Sequence, residues 1–174
     1  MNEAALPQRG SFLGFEPAQA ARLLALLLPL GLLGGAVGSQ YLGGLHPCEM
    51  CIWQRWPHGV AIVLAALAFT APAESSRSRA LTLLAALAIA VSGAIGVYHA
   101  GVEAHIFEGF TQCTALPKAA STAELLQQIT HAPLVRCDEV QFRFLGISMA
   151  GWNAILSLGG AAVILFLILK ARRA

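Results

Sequence analysis

The apolar positions of this chain gather into four long runs, with short polar breaks between them and one long polar stretch before the last. Three of the runs are long enough to cross a bilayer, which takes about 20 largely apolar residues: Leu23 to Leu45, Ala80 to Ala100 and Ile147 to Leu169. The first contains Pro29 and the glycines Gly31, Gly34, Gly35 and Gly38. Membrane helices tolerate such residues, and small side chains let helices approach closely. The second run, Gly59 to Ala71, has 13 residues. At 1.5 Å each these reach about 20 Å, short of a hydrocarbon core of about 30 Å. Its helix is therefore expected to start near Pro47 to Cys51, with Pro47 at the first helical position, and to carry Arg55 to membrane depth. Pro57 opposes this by removing a helix bond and disfavouring helix at Trp56. A kink there, or a loop dipping into the interface, is the alternative.

The pattern predicts an all-α membrane protein: a single domain over residues 1–174 forming a four-transmembrane-helix bundle. Its spans are expected at about 23–45, 51–71, 80–100 and 147–169, with outer loops at about 46–50 and 101–146. The first run outlasts the 7–15 residues of a signal-peptide core, so it is expected to remain as an anchor. Within the long loop, Ser121-Thr122-Ala123-Glu124 has the form of a capping box, and Leu125, Leu126 and Ile129 follow at helical spacing. A short interfacial helix is expected there, lying on the membrane or packed on the bundle.

Composition supports lipid as the solvent: 57% of residues are hydrophobic and 11% charged, against about 25% charged in soluble domains. A net charge of +2 with no basic-aromatic patch gives no support for nucleic acid. Charge placement sets the sidedness. Arg9, Arg22, Arg77, Arg79, Lys170, Arg172 and Arg173 fall on one side of the predicted spans. By the positive-inside rule that side, with both termini, is cytoplasmic. All four cysteines, Cys48, Cys51, Cys113 and Cys137, then lie outside, in a compartment that in a bacterial-type cell is oxidising.

The cysteines leave three chemistries to weigh. Zinc would want two CxxC pairs or histidines at ligand spacing; His46 and His58 complete no such pattern, so no metal is expected. Likewise His58, His99 and His105 form no paired arrangement suited to haem. Inert staples are the second possibility. Closing the loop between Cys113 and Cys137 would supply about 3–4 kcal/mol, whereas a Cys48–Cys51 bridge closes almost no loop. Redox chemistry is the third, because a CxxC bridge has its resolving thiol always at hand. A helix starting near Pro47 would set Cys48 and Cys51 at its positive end, which favours a thiolate. Arg55 lies four residues beyond Cys51 on the same helical face. A cation at that depth is either functional or an interfacial arginine snorkelling beside Trp53 and Trp56.

Four spans, an outer CxxC at the start of the second, Arg55 four residues later and two cysteines in the second outer loop together resemble the disulfide bond formation protein B (DsbB) family. CEMCIWQRWPH and YHAGVEAH (Tyr98 to His105) are similar to that family's sequences. The resemblance implies a quinone-dependent thiol oxidase of the bacterial inner membrane, with ubiquinone or menaquinone as cofactor. Its partner would be a periplasmic DsbA-type thioredoxin-fold oxidase. It further implies that the partner attacks Cys113, that Cys137 helps to resolve the mixed disulfide, and that electrons pass to Cys48–Cys51. Cys51 would face the quinone, with Arg55 tuning the site and His99 near it. His99 has a second reading, an interfacial imidazole bonded to backbone or Glu103, and Asn153 one as interhelical glue. The competing function of another class is a disulfide-stapled scaffold or small transporter. Resting connectivity is open, since four cysteines allow three pairings, and a transient cross-pair such as Cys51–Cys113 is conceivable.

Overall fold

A computed structural model describes residues 15–109, 121–123, 126 and 135–173 of the chain. Their principal elements are helices α1 (Pro17–Tyr41), α2 (Glu49–Ala68), α3 (Ser76–Glu103) and α4 (Met149–Arg173), with strands β1 (Arg143–Phe144) and β2 (Ile147–Ser148) just before α4. Proline in the first turn of α1 uses a position whose N–H would have no helical partner anyway. The Ser75 hydroxyl caps α3 by accepting the Ser78 N–H at 3.2 Å. Cys48 caps α2, so Pro47 lies outside the helix rather than at its first position. Pro57 neither ends α2 nor turns it into a loop, since the helix runs on to Ala68.

Three helices, α1, α3 and α4, are long and apolar enough to cross a membrane, so this is an all-α, multi-pass membrane protein. The 20 residues of α2 would measure about 30 Å, but it is not apolar enough to be counted with them. Gln54, Arg55 and His58 are the reason, and two of these polar side chains point inward. The buried stripe of α2 is Met50, Gln54, His58, Ala61, Ala65 and Ala68, at the three- and four-residue spacing of one helix face. Its other face presents Trp56, Val60 and Val63 outward.

Small side chains make the bundle's core. Ala21 and Ala25 of α1, Ala61 and Ala65 of α2 and Ala85 of α3 meet Ile164 and Leu167 of α4. Helices α3 and α4 approach closely. A Cβ added at Gly96 would stand 3.0 Å from the Ala150 carbonyl oxygen and 3.1 Å from the Ala154 nitrogen. The glycines of α1 behave differently from the expectation. Nothing lies within 4 Å of a Cβ built at Gly31, Gly34, Gly35 or Gly38, so they do not mediate close helix contact. They leave open space instead.

The hairpin β1–β2 is the one strand pairing among the described residues, with Phe144 opposite Ile147. Leu145 and Gly146 form its loop at φ 52° and 81°, the left-handed pair that two-residue hairpin loops require. Trp152 donates its indole N–H to the Phe144 carbonyl at 2.9 Å, tying the hairpin to the start of α4. The helix expected from Ser121 to Ile129 lies largely outside the described residues.

Filling the α3–α4 contact should destabilise the protein. Gly96→Leu is expected to lose about 1–3 kcal/mol, seen as a lower thermal midpoint in detergent. Gly159→Ala, where an added Cβ meets nothing within 4 Å, should leave the midpoint unchanged or slightly raised. Equal behaviour of the two variants would contradict the packing described.

Candidate functional site

At the start of α2 the Cys48 sulfur accepts the Cys51 N–H at 3.3 Å, in the place where a serine or aspartate oxygen usually caps a helix. That turn brings the two sulfurs to 3.0 Å, with the Cys48 thiol donating to Cys51. From the segment before β1 Cys137 packs onto Cys48, and Met50 and Val102 enclose the pair. Cys48 is 4% exposed and Cys137 fully buried, while Cys51 is partly open. Hydrogen bonding with Cys137, then with Cys51, and then burial push the Cys48 thiol up. The cross-loop neighbours are thus Cys48 and Cys137; Cys113 lies outside the described residues.

His99 approaches the same sulfur from α3, with Nε2 3.5 Å from Cys48 Sγ and 3.8 Å from Glu103 Oε1. Its tautomer follows from the groups behind it. Gln54 Nε2 donates to the Met50 carbonyl at 3.2 Å and faces His99 Nδ1 at 2.8 Å. Gln54 Oε1 accepts from Asn153 Nδ2 at 2.7 Å, and that nitrogen also donates to the Ser92 carbonyl at 3.2 Å. Backbone carbonyls only accept, so both amides are held in this orientation. Nδ1 of His99 must then accept, and the proton of the neutral ring sits on Nε2, directed at the Cys48 sulfur. The ligand atoms of Cys48, Cys51 and His99 lie within 4.8 Å of one another, as a metal site would need. An Nε2 that carries a proton is a donor, however, and the contact here is a hydrogen bond to sulfur.

Arg55 does not snorkel beside the tryptophans. Its Nη1 donates to Gln40 Oε1 at 2.6 Å and its Nη2 to the Ala36 carbonyl at 3.1 Å, both on α1. Trp56 points the other way and is 72% exposed, as an aromatic belt residue would be. Between α1 and the other helices lies a cavity of about 610 Å³, within the range of small-molecule sites. Cys48, Cys51, Gln54, Arg55, His58 and His99 line it opposite Gly31 and Gly35.

The chain's own order thus hides a single site. Cys48, Cys51, Cys137, Arg55 and His99 converge, and so do Gln54, Ser92 and His58, which sequence reasoning did not place there. Asn153 is interhelical glue as read, bridging α4 to α2 and α3. A signal existed: Gln54 and His58 are four residues apart, and Ser92 and His99 seven, each pair on one helical face.

Fold and site define a multi-pass helical membrane protein organised around a cluster of three buried or half-buried cysteines. The chain belongs to the disulfide bond formation protein DsbB family, whose profile matches residues 18–167. It is similar to a disulfide bond formation protein B of Xanthomonas oryzae pv. oryzae, 28% identical over 89% of this chain and 92% of the relative. A Shewanella protein of the same name is 27% identical over 91% of each chain. An uncharacterized protein of Rickettsia prowazekii is 24% identical over 78% of this chain and 79% of its own length. No solved structure matches.

The Cys48–Cys137 packing can be tested directly. In a Cys51→Ala, Cys113→Ala double variant, mild oxidation should close a Cys48–Cys137 disulfide almost completely, seen as a cross-linked peptide after non-reducing digestion. Two thiols that remain open to alkylation would contradict the geometry.

Proposed function

We propose that the chain is a four-span thiol oxidase that reoxidises a periplasmic DsbA-type dithiol and passes two electrons to ubiquinone or menaquinone, supporting disulfide bond formation. On this reading residues 1–174 form one domain in the inner membrane, with both termini cytoplasmic and the cysteines periplasmic. The 20-residue length of α2 and the cytoplasmic bias of Lys and Arg support that arrangement.

The observation that carries the proposal is Cys137 packed on the capped dithiol, whose Cys48 and Cys51 line the cavity. A thiol-disulfide relay needs each attacking sulfur next to its target. The partner's thiolate attacks Cys113 and releases Cys137. Cys137 attacks Cys48, forming a Cys48–Cys137 bond and releasing Cys51 as a thiolate. The partner's second thiol then resolves its mixed disulfide with Cys113. Cys113 then attacks Cys137, re-forming Cys113–Cys137 and releasing Cys48, and Cys48 and Cys51 close their disulfide as two electrons and two protons leave. The partner has lost two electrons and two protons.

A quinone, when bound, supplies the sink for those electrons and protons. The cavity suits such a group. Its volume is that of a small-molecule site, its α1 wall has room where side chains would otherwise stand, and Arg55 Nε is buried with no partner among the described residues. Cys51 and Arg55 would hold the head group, and the Arg55 cation stabilises the released Cys51 thiolate. His99 donates to the Cys48 sulfur and favours its departure from Cys137 when Cys113 attacks.

Cys51→Ala should abolish quinone reduction by a reduced DsbA-type partner, measured as loss of quinone absorbance. Cys137→Ser, which cannot form the Cys113–Cys137 disulfide that the partner attacks, should likewise abolish turnover and leave the partner reduced, seen by thiol alkylation on gels. Full turnover by Cys51→Ala would sink the relay. In cells depleted of quinone, cysteines that stay oxidised would favour a stapled scaffold instead.

A further inference from the structure

The β1–β2 hairpin reverses the usual arrangement of a water-exposed hairpin. Arg143 and Ser148 are paired across its strands, and both are drawn to Glu103 at the end of α3. Ser148 donates a hydrogen bond to that carboxylate, and the Arg143 cation attracts it. The Ser148 oxygen also accepts the Gly151 N–H at 3.1 Å in the first turn of α4, which leaves its own proton for Glu103. The polar contacts of the hairpin are thus made toward the bundle. Its apolar side chains stand outside: Phe142, Phe144 and Leu145 are 48%, 57% and 78% exposed.

Leu145 is the least expected of these. It forms the tip at φ 52°, where asparagine or glycine is favoured and a leucine is strained. In water the position would be unfavourable twice over, for its backbone and for its exposed side chain. The surroundings of the tip follow from α4. Strand β2 ends at Ser148 and α4 starts at Met149, with no linker between them. Trp152 fixes the hairpin to the first turn of α4 through its bond to the Phe144 carbonyl, and its ring lies 6.2 Å from the Phe144 ring. From Met149 to Leu169, before the basic Lys170, Arg172 and Arg173, α4 reaches about 31 Å. That matches a hydrocarbon core of about 30 Å, so Met149 stands at its edge. The headgroup layer beyond that edge is about 5–7 Å deep. Two paired residues on each strand extend about 7 Å, so the hairpin stays within the layer.

We propose that the β1–β2 hairpin is a membrane-interface anchor, seating Phe144 and Leu145 in the phospholipid layer and thereby holding Cys137, shortly before β1, against Cys48. The occupant is phospholipid because the hairpin continues, without a gap, a helix whose outer face already meets the bilayer. Ile155 on that face is 53% exposed. Lipid gives the outward phenylalanine and leucine an apolar setting while the polar pair stays on Glu103. The inference needs only the membrane setting of the helices and is independent of the quinone chemistry.

Two measurements on the full chain, in nanodiscs of phosphatidylethanolamine and phosphatidylglycerol, test this. A spin label is placed through Leu145→Cys, with Cys48, Cys51, Cys113 and Cys137 replaced by serine. Oxygen, which concentrates in lipid, should relax it more than a water-soluble nickel chelate does. The reverse order overturns the anchor. So does a label open to the chelate until a reduced thioredoxin-fold protein is added, which would make the hairpin a protein-docking surface. The second measurement separates lipid from turn geometry. In the Cys51→Ala, Cys113→Ala background, equilibration with glutathione reads the effective concentration of the Cys48 and Cys137 thiols at each other. Leu145→Asn supplies the asparagine-glycine pair that two-residue hairpin loops favour, so a hairpin in water would hold Cys137 as well or better. In the bilayer it should lower the effective concentration about fivefold, because the tip loses apolar burial. Leu145→Phe, which keeps the tip apolar, should stay within about twofold of the starting value. An unchanged or raised value for Leu145→Asn overturns the link to Cys137, as does an equal fall for Leu145→Phe.

Discussion

Everything at this site depends on the burial of one side-chain amide. Gln54 sits between α2, α3 and α4, where neither water nor lipid can satisfy it. Its nitrogen must find acceptors and its oxygen a donor. It finds Met50 and His99 on one end and Asn153 on the other. That requirement fixes the relative register of three helices, and it also fixes which nitrogen of His99 holds the proton. A packing constraint in the bundle thereby becomes a hydrogen-bond donor aimed at the Cys48 sulfur.

The first helix has a different task. The other three close on one another through alanine and glycine, while α1 touches them with its N-terminal half and leaves space along its glycines. The space is bounded rather than empty of purpose. Gln40 and the Ala36 carbonyl reach across to the Arg55 guanidinium, and without them a cation among apolar helices would be costly. One wall of the cavity therefore supplies the room, and the same wall anchors the charge.

Several features were legible in order along the chain because they rest on local chemistry. The length of the apolar runs, the shortness of the second, and the consequence that Arg55 must lie inside its helix all follow from helix rise alone. The glycines of α1 misled, because small residues permit close packing without requiring it, and only the neighbours decide. Snorkelling by Arg55 was a fair expectation from Trp53 and Trp56. The guanidinium instead bonds Gln40 and the Ala36 carbonyl on α1. Pro47 looked like a first helical residue, yet the Cys48 sulfur was free to cap the Cys51 N–H and took the boundary instead.

By itself the sequence determined the kind of solvent the chain folds in, the family resemblance and the local CxxC turn, since each depends on residues close together or on bulk composition. Tertiary structure alone decided that Cys137 meets Cys48, that His99 carries its proton on Nε2, and that His58 meets Ser92 and Asn153. Those outcomes depend on partners 34 to 99 residues apart, brought together by helix packing. A hydrogen bond's direction is set by what every member of the network can give or accept, and no single stretch of sequence contains the whole network.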